Sequence, residues 1–364
     1  MRISETFDKV RDALTPRQRT DFIFILRGGA GEIYTSIYNL FSLEKRVGHS
    51  LHEHRPYLIG DSAGAFVVAG LAAPSLSDPT KPALTASDLP QMFQDNIYFY
   101  LSRRRDKAKE RLEETIRQAR LCDSLLPVCI SSCSISPTLT REYFQYIPEG
   151  HFLPARSTLP NLNETVQFSD AALASSAYPL KFGDHAIAET GKRYIDMAVL
   201  ETHSSNLVEL SDFYKTHLRS RRLVCVIFGN NYENITLRPT ERLGIFGMNR
   251  HFPEALRALV HMDMIEHATK LFGKDNVFDL SLRLDQPFAE GKISPFPDAF
   301  TGYARVIKKR MALTEQLIDS NPEHQQKLDC LAEIIQNAPL PHHRPSPNNQ
   351  ATFVATPVRA AQAV

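Results

Sequence analysis

The sequence predicts an α/β protein built around a mostly parallel sheet. Apolar runs of strand length alternate with stretches of helical spacing, which is typical of parallel strands joined by helical crossovers. Two of the runs lead directly into glycine-rich turns, at 28–31 and 60–64. With 364 residues, of which 43 % are hydrophobic, the chain can form one large α/β domain or two ordinary ones.

The first part of the chain contains the clearest elements. A short amphipathic helix is predicted over 3–13, followed by a strand at Asp21–Leu26 and a helix over 33–47. A second strand, Tyr57–Ser62, runs into an apolar helix at Ala65–Ala73. This order of strand, helix, strand and helix is the unit from which parallel sheets are built.

Elements farther along the chain follow from the same periodicities. The segment 74–90 is polar and contains proline, which predicts a loop, and one charge-rich helix is predicted over 98–122. The other predicted elements are strands at 126–135, 222–229 and 276–284, two short strands around the turn at Thr190-Gly191, and helices at 168–177, 252–272 and 311–336. From 337 onward Pro, Asn and His dominate, which predicts a disordered tail.

Charge and cysteine content argue against several classes of protein. The 42 Lys and Arg nearly cancel the 41 Asp and Glu, so no basic field for nucleic acid is expected. No apolar run approaches the roughly 18–20 residues that span a bilayer, and the first eight residues lack the apolar core of a signal peptide. We therefore expect a cytoplasmic protein, in solution or peripheral at a membrane, and non-Sec secretion stays open.

The five cysteines, an odd number, do not form a disulfide framework. Cys129 and Cys133 are four residues apart, but no second pair of ligands has matching spacing, which favours buried thiols over a metal site. No metal and no cofactor are expected.

The segment Gly60-Asp61-Ser62-Ala63-Gly64 has the G-x-S-x-G pattern between a strand and a helix, the context of a nucleophile elbow. Gly60 and Gly64 stand where the strand and helix backbones nearly touch, and Ser62 is the candidate nucleophile. The alternative is a serine that only caps the following helix.

A second glycine cluster, Gly28-Gly29-Ala30-Gly31, follows the first strand. It lacks the spacing of a dinucleotide-binding fingerprint, and no lysine follows to make a P-loop. Its amides are better suited to an oxyanion, although the cluster alone keeps a nucleotide-binding protein as an alternative.

The base for Ser62 is harder to find. None of the 13 histidines stands in an informative position, whereas Asp196 directly follows a short strand. The alternative is a turn aspartate that caps a helix.

These segments resemble blocks of the patatin-like phospholipases, and they occur in that family's order. The glycine-rich loop corresponds to Gly28–Gly31, G-x-S-x-G to Gly60–Gly64, and D-G-[GA] to Asp196-Met197-Ala198. A segment A-S-S-A-x-P-x-x-F corresponds to Ala174–Phe182. The resemblance covers roughly 21–307, with a helical extension at 1–20, the acyl hydrolase domain at 21–310, a C-terminal helix at 311–336 and a tail at 337–364.

The resemblance implies a three-layer α/β/α sandwich and a Ser-Asp dyad without a catalytic histidine. Ser62 is then the nucleophile and Asp196 the base, with oxyanion donors at the amides of Gly28, Gly29, Ala30 and Ala63. It implies hydrolysis of phospholipid, lysophospholipid or another lipid ester, while the need for a protein activator stays open.

Four positions depart from the family pattern, one of them Glu32, which stands at the last glycine position of the loop. Arg27 stands at the first glycine position of the loop, Gly31 at its basic position, and Met197 follows the aspartate in place of glycine. These departures keep open a catalytically impaired protein that binds lipid or a partner.

Membrane contact is a separate question. Arg103-Arg104-Arg105 with Lys107 and Lys109, near Tyr98–Tyr100, fits an interfacial face. The alternative, which we favour, is a solvated helix face with internal charge pairs.

Overall fold

The computed structural model describes residues 20–28, 33–100, 104–148, 164–197, 222–229, 261–282 and 303–340. The predicted helix at 3–13, the loop residues Gly29 and Ala30, and the tail beyond 340 lie outside the described residues.

Eight strands form one mixed sheet in the described part of the chain, in the order β5-β6-β3-β2-β1-β7-β8. Strand β4 also pairs with β3, along the edge opposite the one that β2 and β6 share. The strands are β1 (Thr20–Leu26), β2 (Tyr57–Asp61), β3 (Val128–Ser134), β4 (Thr140–Tyr146), β5 (His185–Ile187), β6 (Lys192–Ile195), β7 (Arg222–Phe228) and β8 (Val277–Asp279). Strands β3, β2, β1, β7 and β8 are mutually parallel, whereas β4, β5 and β6 pair antiparallel. The predicted α/β class with a mostly parallel sheet is therefore confirmed.

Helices cover both faces of this sheet. They are α1 (Ile33–Val47), α2 (Gly64–Ala72), α3 (Leu89–Tyr100), α4 (Arg105–Ile116), α5 (Phe168–Ser175), α6 (Pro179–Phe182), α7 (261–272), α8 (Tyr303–Ser320) and α9 (Pro322–Asn337). Within the described ranges, none of them is both long and apolar enough to cross a membrane.

The central strands are buried on both faces, which explains their continuous apolar sequences. In β1, Phe22 and Phe24 join the apolar cluster that includes α1 and α2, whereas Ile23 and Ile25 join the cluster that includes α7. Because successive side chains of a strand point to opposite faces, these clusters lie on the two sides of the sheet.

Two predicted helices are each divided in the structure. The predicted helix at 98–122 corresponds to the end of α3 and to α4, with 101–103 outside the described residues. The predicted helix at 311–336 is α8 followed by α9, because Pro322 lacks an amide donor and Asn321 caps the new helix through a bond from the His324 amide at 3.1 Å.

Strand β4 was not predicted, because its first two residues are exposed and its sequence TREYFQY is only partly apolar. The hairpin around Thr190-Gly191 is confirmed as β5 and β6, and the described part of the strand predicted at 276–284 contains β8, with 283–284 outside the described residues.

Candidate active site

Ser62 lies at the sharp turn between β2 and α2. Its φ of 49° places a non-glycine residue in the left-handed region, a conformation that costs roughly 1–2 kcal/mol. A Cβ at Gly60 would lie 2.6 Å from Val68 Cγ2, and one at Gly64 would collide with the carbonyl oxygen of Leu26. The two glycines thus permit the close approach of strand and helix that an elbow requires.

The Ser62 hydroxyl donates a hydrogen bond to Asp196 Oδ2 at 2.6 Å. Asp196 is 3 % exposed, so the carboxylate is shielded from bulk water, whereas Ser62 is only partly buried. The structure therefore brings together the two residues that the sequence singled out as nucleophile and base.

Strand pairing explains how residues 134 positions apart meet. Strand β2 runs parallel to β3 and ends with Asp61 opposite Ser131, whereas β6 runs antiparallel to β3 and ends with Ile195 opposite Cys133. Because β4 occupies the other edge of β3 along its whole length, β2 and β6 share one edge and point their carboxyl ends at each other. Ser62 and Asp196 are the next residues of these two strands.

The described part of the glycine loop contacts the elbow directly. A Cβ at Gly28 would collide with Ser62 Cβ, so only glycine fits beside the nucleophile. The Gly28 amide donates to Asp61 Oδ2 at 3.2 Å, so in this structure it is directed at a carboxylate rather than toward a substrate. Gly29 and Ala30 lie outside the described residues, and the Ala63 amide lies at the N-terminus of α2.

Arg27, at the end of β1, starts a chain of buried polar contacts. Its Nη1 contacts Nδ1 of His261, whose Nε2 lies 3.3 Å from Asp279 Oδ2. Because a guanidinium only donates, His261 Nδ1 is the acceptor of this contact, and Nε2 is the ring nitrogen that faces Asp279. Burial raises the pKa of Asp279, but bonds from His261 and Ser281 outweigh it and hold the pKa below its usual value.

Arg105 is turned inward, which the sequence did not predict. Its Nη2 donates to the Leu173 carbonyl at 2.8 Å and to Ser176 Oγ at 2.7 Å, and its guanidinium lies 5.0 Å from the centre of the Phe182 ring. Burial lowers the pKa of Arg105 to about 10, against the opposing effect of the Asp196 charge. Arg105 therefore belongs to the surroundings of the dyad and not to an exposed basic face.

Two other basic residues proposed for an interfacial face, Lys107 and Lys109, form charge pairs, whereas Arg103 lies outside the described residues. Within α4, Lys107 lies 2.5 Å from Glu110 and Lys109 lies 3.7 Å from Glu113, and Lys109 also lies 2.7 Å from Asp170 of α5. These contacts favour the interpretation of α4 as a helix with internal charge pairs.

No group of three or more potential metal ligands occurs among the residues described. Cys129 and Cys133 are buried free thiols in the cluster beneath β3.

Comparisons with known proteins add little. No family model matches the sequence, and no curated protein matches it significantly. Among solved structures, VipD from Legionella pneumophila is 11 % identical with a TM-score of 0.37, over 84 % of this chain and 67 % of that chain. A likeness this weak carries no functional conclusion, so the function has to be inferred from the site itself.

Proposed function

We propose that this protein is a serine hydrolase of carboxylic esters, with Ser62 as nucleophile and Asp196 as base. The observation that carries the proposal is the 2.6 Å bond from the Ser62 hydroxyl to Asp196, formed at a strained elbow. A serine that only caps a helix needs neither a left-handed backbone nor a buried carboxylate partner.

The first half of the reaction forms an acyl-enzyme. Ser62 Oγ attacks the ester carbonyl carbon while its proton passes to Asp196 Oδ2. The tetrahedral intermediate then releases the alcohol, which takes the proton from Asp196 as the carbon–oxygen bond breaks. The N-terminus of α2, with the Ala63 amide, supplies a positive dipole near the developing oxyanion.

The second half regenerates the serine. Asp196 takes a proton from water, the resulting hydroxide attacks the acyl carbon, and Ser62 Oγ leaves and recovers the proton from Asp196. The products are a carboxylic acid and free enzyme, and no metal or cofactor takes part. We assign the substrate to the phospholipids, lysophospholipids or other lipid esters, on the resemblance of the sequence blocks alone.

The test is labelling by a fluorophosphonate probe. Wild-type protein should be labelled, whereas Ser62→Ala should not be labelled at all and Asp196→Asn should react at least about 100-fold more slowly. Asp184→Asn is the matched control, because Asp184 precedes the same hairpin but pairs with Arg193 instead of serine. Hydrolysis of phospholipid vesicles against a short soluble ester then separates a lipase from a general esterase.

A second function is favoured by one contact. Because the Gly28 amide is bound to the Asp61 carboxylate, an oxyanion donor is withheld in this structure, which fits an impaired protein that binds lipid without turnover. Vesicle binding without labelling or hydrolysis would support this alternative and reject the enzyme.

A further inference from the structure

The last turn of α5 and the residues after it, 173–177, contact the main chains on both sides of the dyad. This bracket, as we call 173–177, contains the A-S-S-A segment at 174–177, for which no role was predicted from the sequence. The Ser62 amide donates to Ser175 Oγ at 2.8 Å, and the Asp196 amide donates to the Ala177 carbonyl at 2.9 Å. One short segment therefore contacts the backbone of the nucleophile and the backbone of the base.

On the nucleophile side, the bond acts on a strained residue. Ser62 has a φ of 49°, and such a conformation persists only where surrounding contacts hold it. Ser175 is 0 % exposed, so water does not compete with the Ser62 amide for its hydroxyl in this structure. The Ser62 amide points at this hydroxyl, which fixes the direction in which the Ser62 side chain leaves the turn.

On the base side, a second serine reinforces the bracket. Ser132 of β3 lies between the ends of β2 and β6, and its hydroxyl is 3.1 Å from the Ala174 carbonyl and 2.9 Å from the Ile195 carbonyl. Arg105 holds the bracket from α4 through the Leu173 carbonyl and Ser176. The bracket is thus anchored to β3, to β6 and to α4 at once.

We propose that Ser175 is a positioning residue that sets the geometry of the Ser62–Asp196 pair by accepting the Ser62 amide. The proposal rests on the proposed function, since it concerns the reactivity of Ser62. Ser175 does not touch the reacting oxygen. It acts through the Ser62 main chain, so its loss should slow the chemical step without changing the binding constant for the substrate or probe.

The chain offers a matched control in Ser169. This serine lies in the same helix and is also 0 % exposed, but its hydroxyl donates to Glu113 at 2.9 Å. Ser169→Ala and Ser175→Ala each delete one buried hydroxyl from α5. A purely structural role predicts that the two substitutions behave alike.

The experiment measures how fast each variant reacts with a fluorophosphonate, separating the maximal rate of inactivation from the binding constant. Ser175→Ala should lower the maximal rate about 10- to 100-fold with an unchanged binding constant, and Ser169→Ala should stay within about 2-fold of wild type. Ser175→Thr, which retains the hydroxyl, should recover most of the rate. Equal effects of Ser175→Ala and Ser169→Ala, or a wild-type rate in Ser175→Ala, would overturn the proposal.

Hydrogen exchange separates this proposal from the proposed function. In wild type the Ser62 amide should be protected by the bond to Ser175, and in Ser175→Ala its exchange should rise at least about 10-fold while Ser169→Ala leaves it unchanged. Protection that depends on Ser175 in a protein without labelling supports the positioning geometry and rejects the hydrolase. Exchange that is unchanged in Ser175→Ala rejects the positioning role, whatever the activity.

Discussion

Replacing His324 by glutamine should remove part of the acid sensitivity of the fold. His324, in α9, is 4 % exposed, and its Nε2 lies 2.6 Å from Asn39 Oδ1 in α1. The Asn39 amide nitrogen donates to the Leu280 carbonyl at 2.7 Å, so Asn39 Oδ1 must accept and His324 Nε2 must donate. This chain of bonds joins the C-terminal helix to the sheet.

The structure disfavours a charge on this imidazole. Burial, followed by the positive charge of Lys327, lowers the pKa of His324 to about 4, with Arg46 adding to the effect and Asp279 and Glu323 opposing it. In the unfolded chain the His324 side chain has a pKa of about 6.5. Below that pH the unfolded chain therefore binds a proton that the folded protein does not bind. Stability from this group is therefore complete above about pH 6.5 and falls as the pH drops toward 4.

The expected magnitude follows from these two values. Between pH 7 and pH 5 the unfolded histidine becomes almost fully protonated while the folded one stays neutral, which costs about 2 kcal/mol of unfolding free energy. His324→Gln keeps an amide donor for Asn39 but cannot titrate. Its loss of stability over the same interval should therefore be about 2 kcal/mol smaller than that of wild type.

Urea unfolding of both proteins at pH 7 and pH 5 measures this difference. Other titrating groups, such as His54, contribute equally to both proteins and cancel in the comparison. An identical drop in wild type and His324→Gln would refute the reasoning, because it would mean that His324 is protonated as easily in the folded state as in the unfolded one.

Three further predictions concern the elbow and the neighbouring strand ends. Ser62→Gly should abolish probe labelling and have an unfolding free energy about 1 kcal/mol higher than Ser62→Ala, which equally lacks the hydroxyl that bonds Asp196, since glycine tolerates the positive φ; equal stability of the two variants in urea unfolding would contradict the strain. Gly28→Ala should lower the labelling rate at least about 10-fold, because the added Cβ collides with Ser62; wild-type labelling would show that the loop yields easily. His261→Phe should destabilise the fold by about 2–4 kcal/mol in urea unfolding, because it removes the acceptor of the buried Arg27; a change below about 1 kcal/mol would mean that Arg27 finds another partner.

Local pattern was enough to predict the elbow. The strand, the tight turn at Gly60–Gly64 and the following helix can each be predicted from neighbouring residues in the sequence. Asp196 was singled out by its position after a short strand, but a carboxylate there is common, and its role as base was predicted from the order of the family-like blocks. Its contact with Ser62 depends on strand register, which no local pattern reveals.

Residues that act through the main chain were not predictable in this way. Ser175 and Ser132 are serines among many, and their roles depend on which carbonyl or amide lies within about 3 Å after folding. Arg105 lies in a charge-rich stretch that resembles a solvated surface, yet burial against Phe182 and bonds to α5 turn it inward. The contacts of these three residues depend on long-range packing, which propensity and periodicity do not predict.

Because β2 and β6 both pair with one edge of β3, their registers on β3 determine the distance between Ser62 and Asp196. A slip of β6 by one residue would shift Asp196 by about 3.3 Å and turn its side chain to the other face, so the contact with Ser62 would be lost completely. Labelling of Ser62 would then report on the register of β6 against β3, two strands that are distant in the chain. Probe labelling during refolding would thus measure the rate at which β6 pairs with β3 in the correct register. A separate signal would follow the formation of the rest of the sheet.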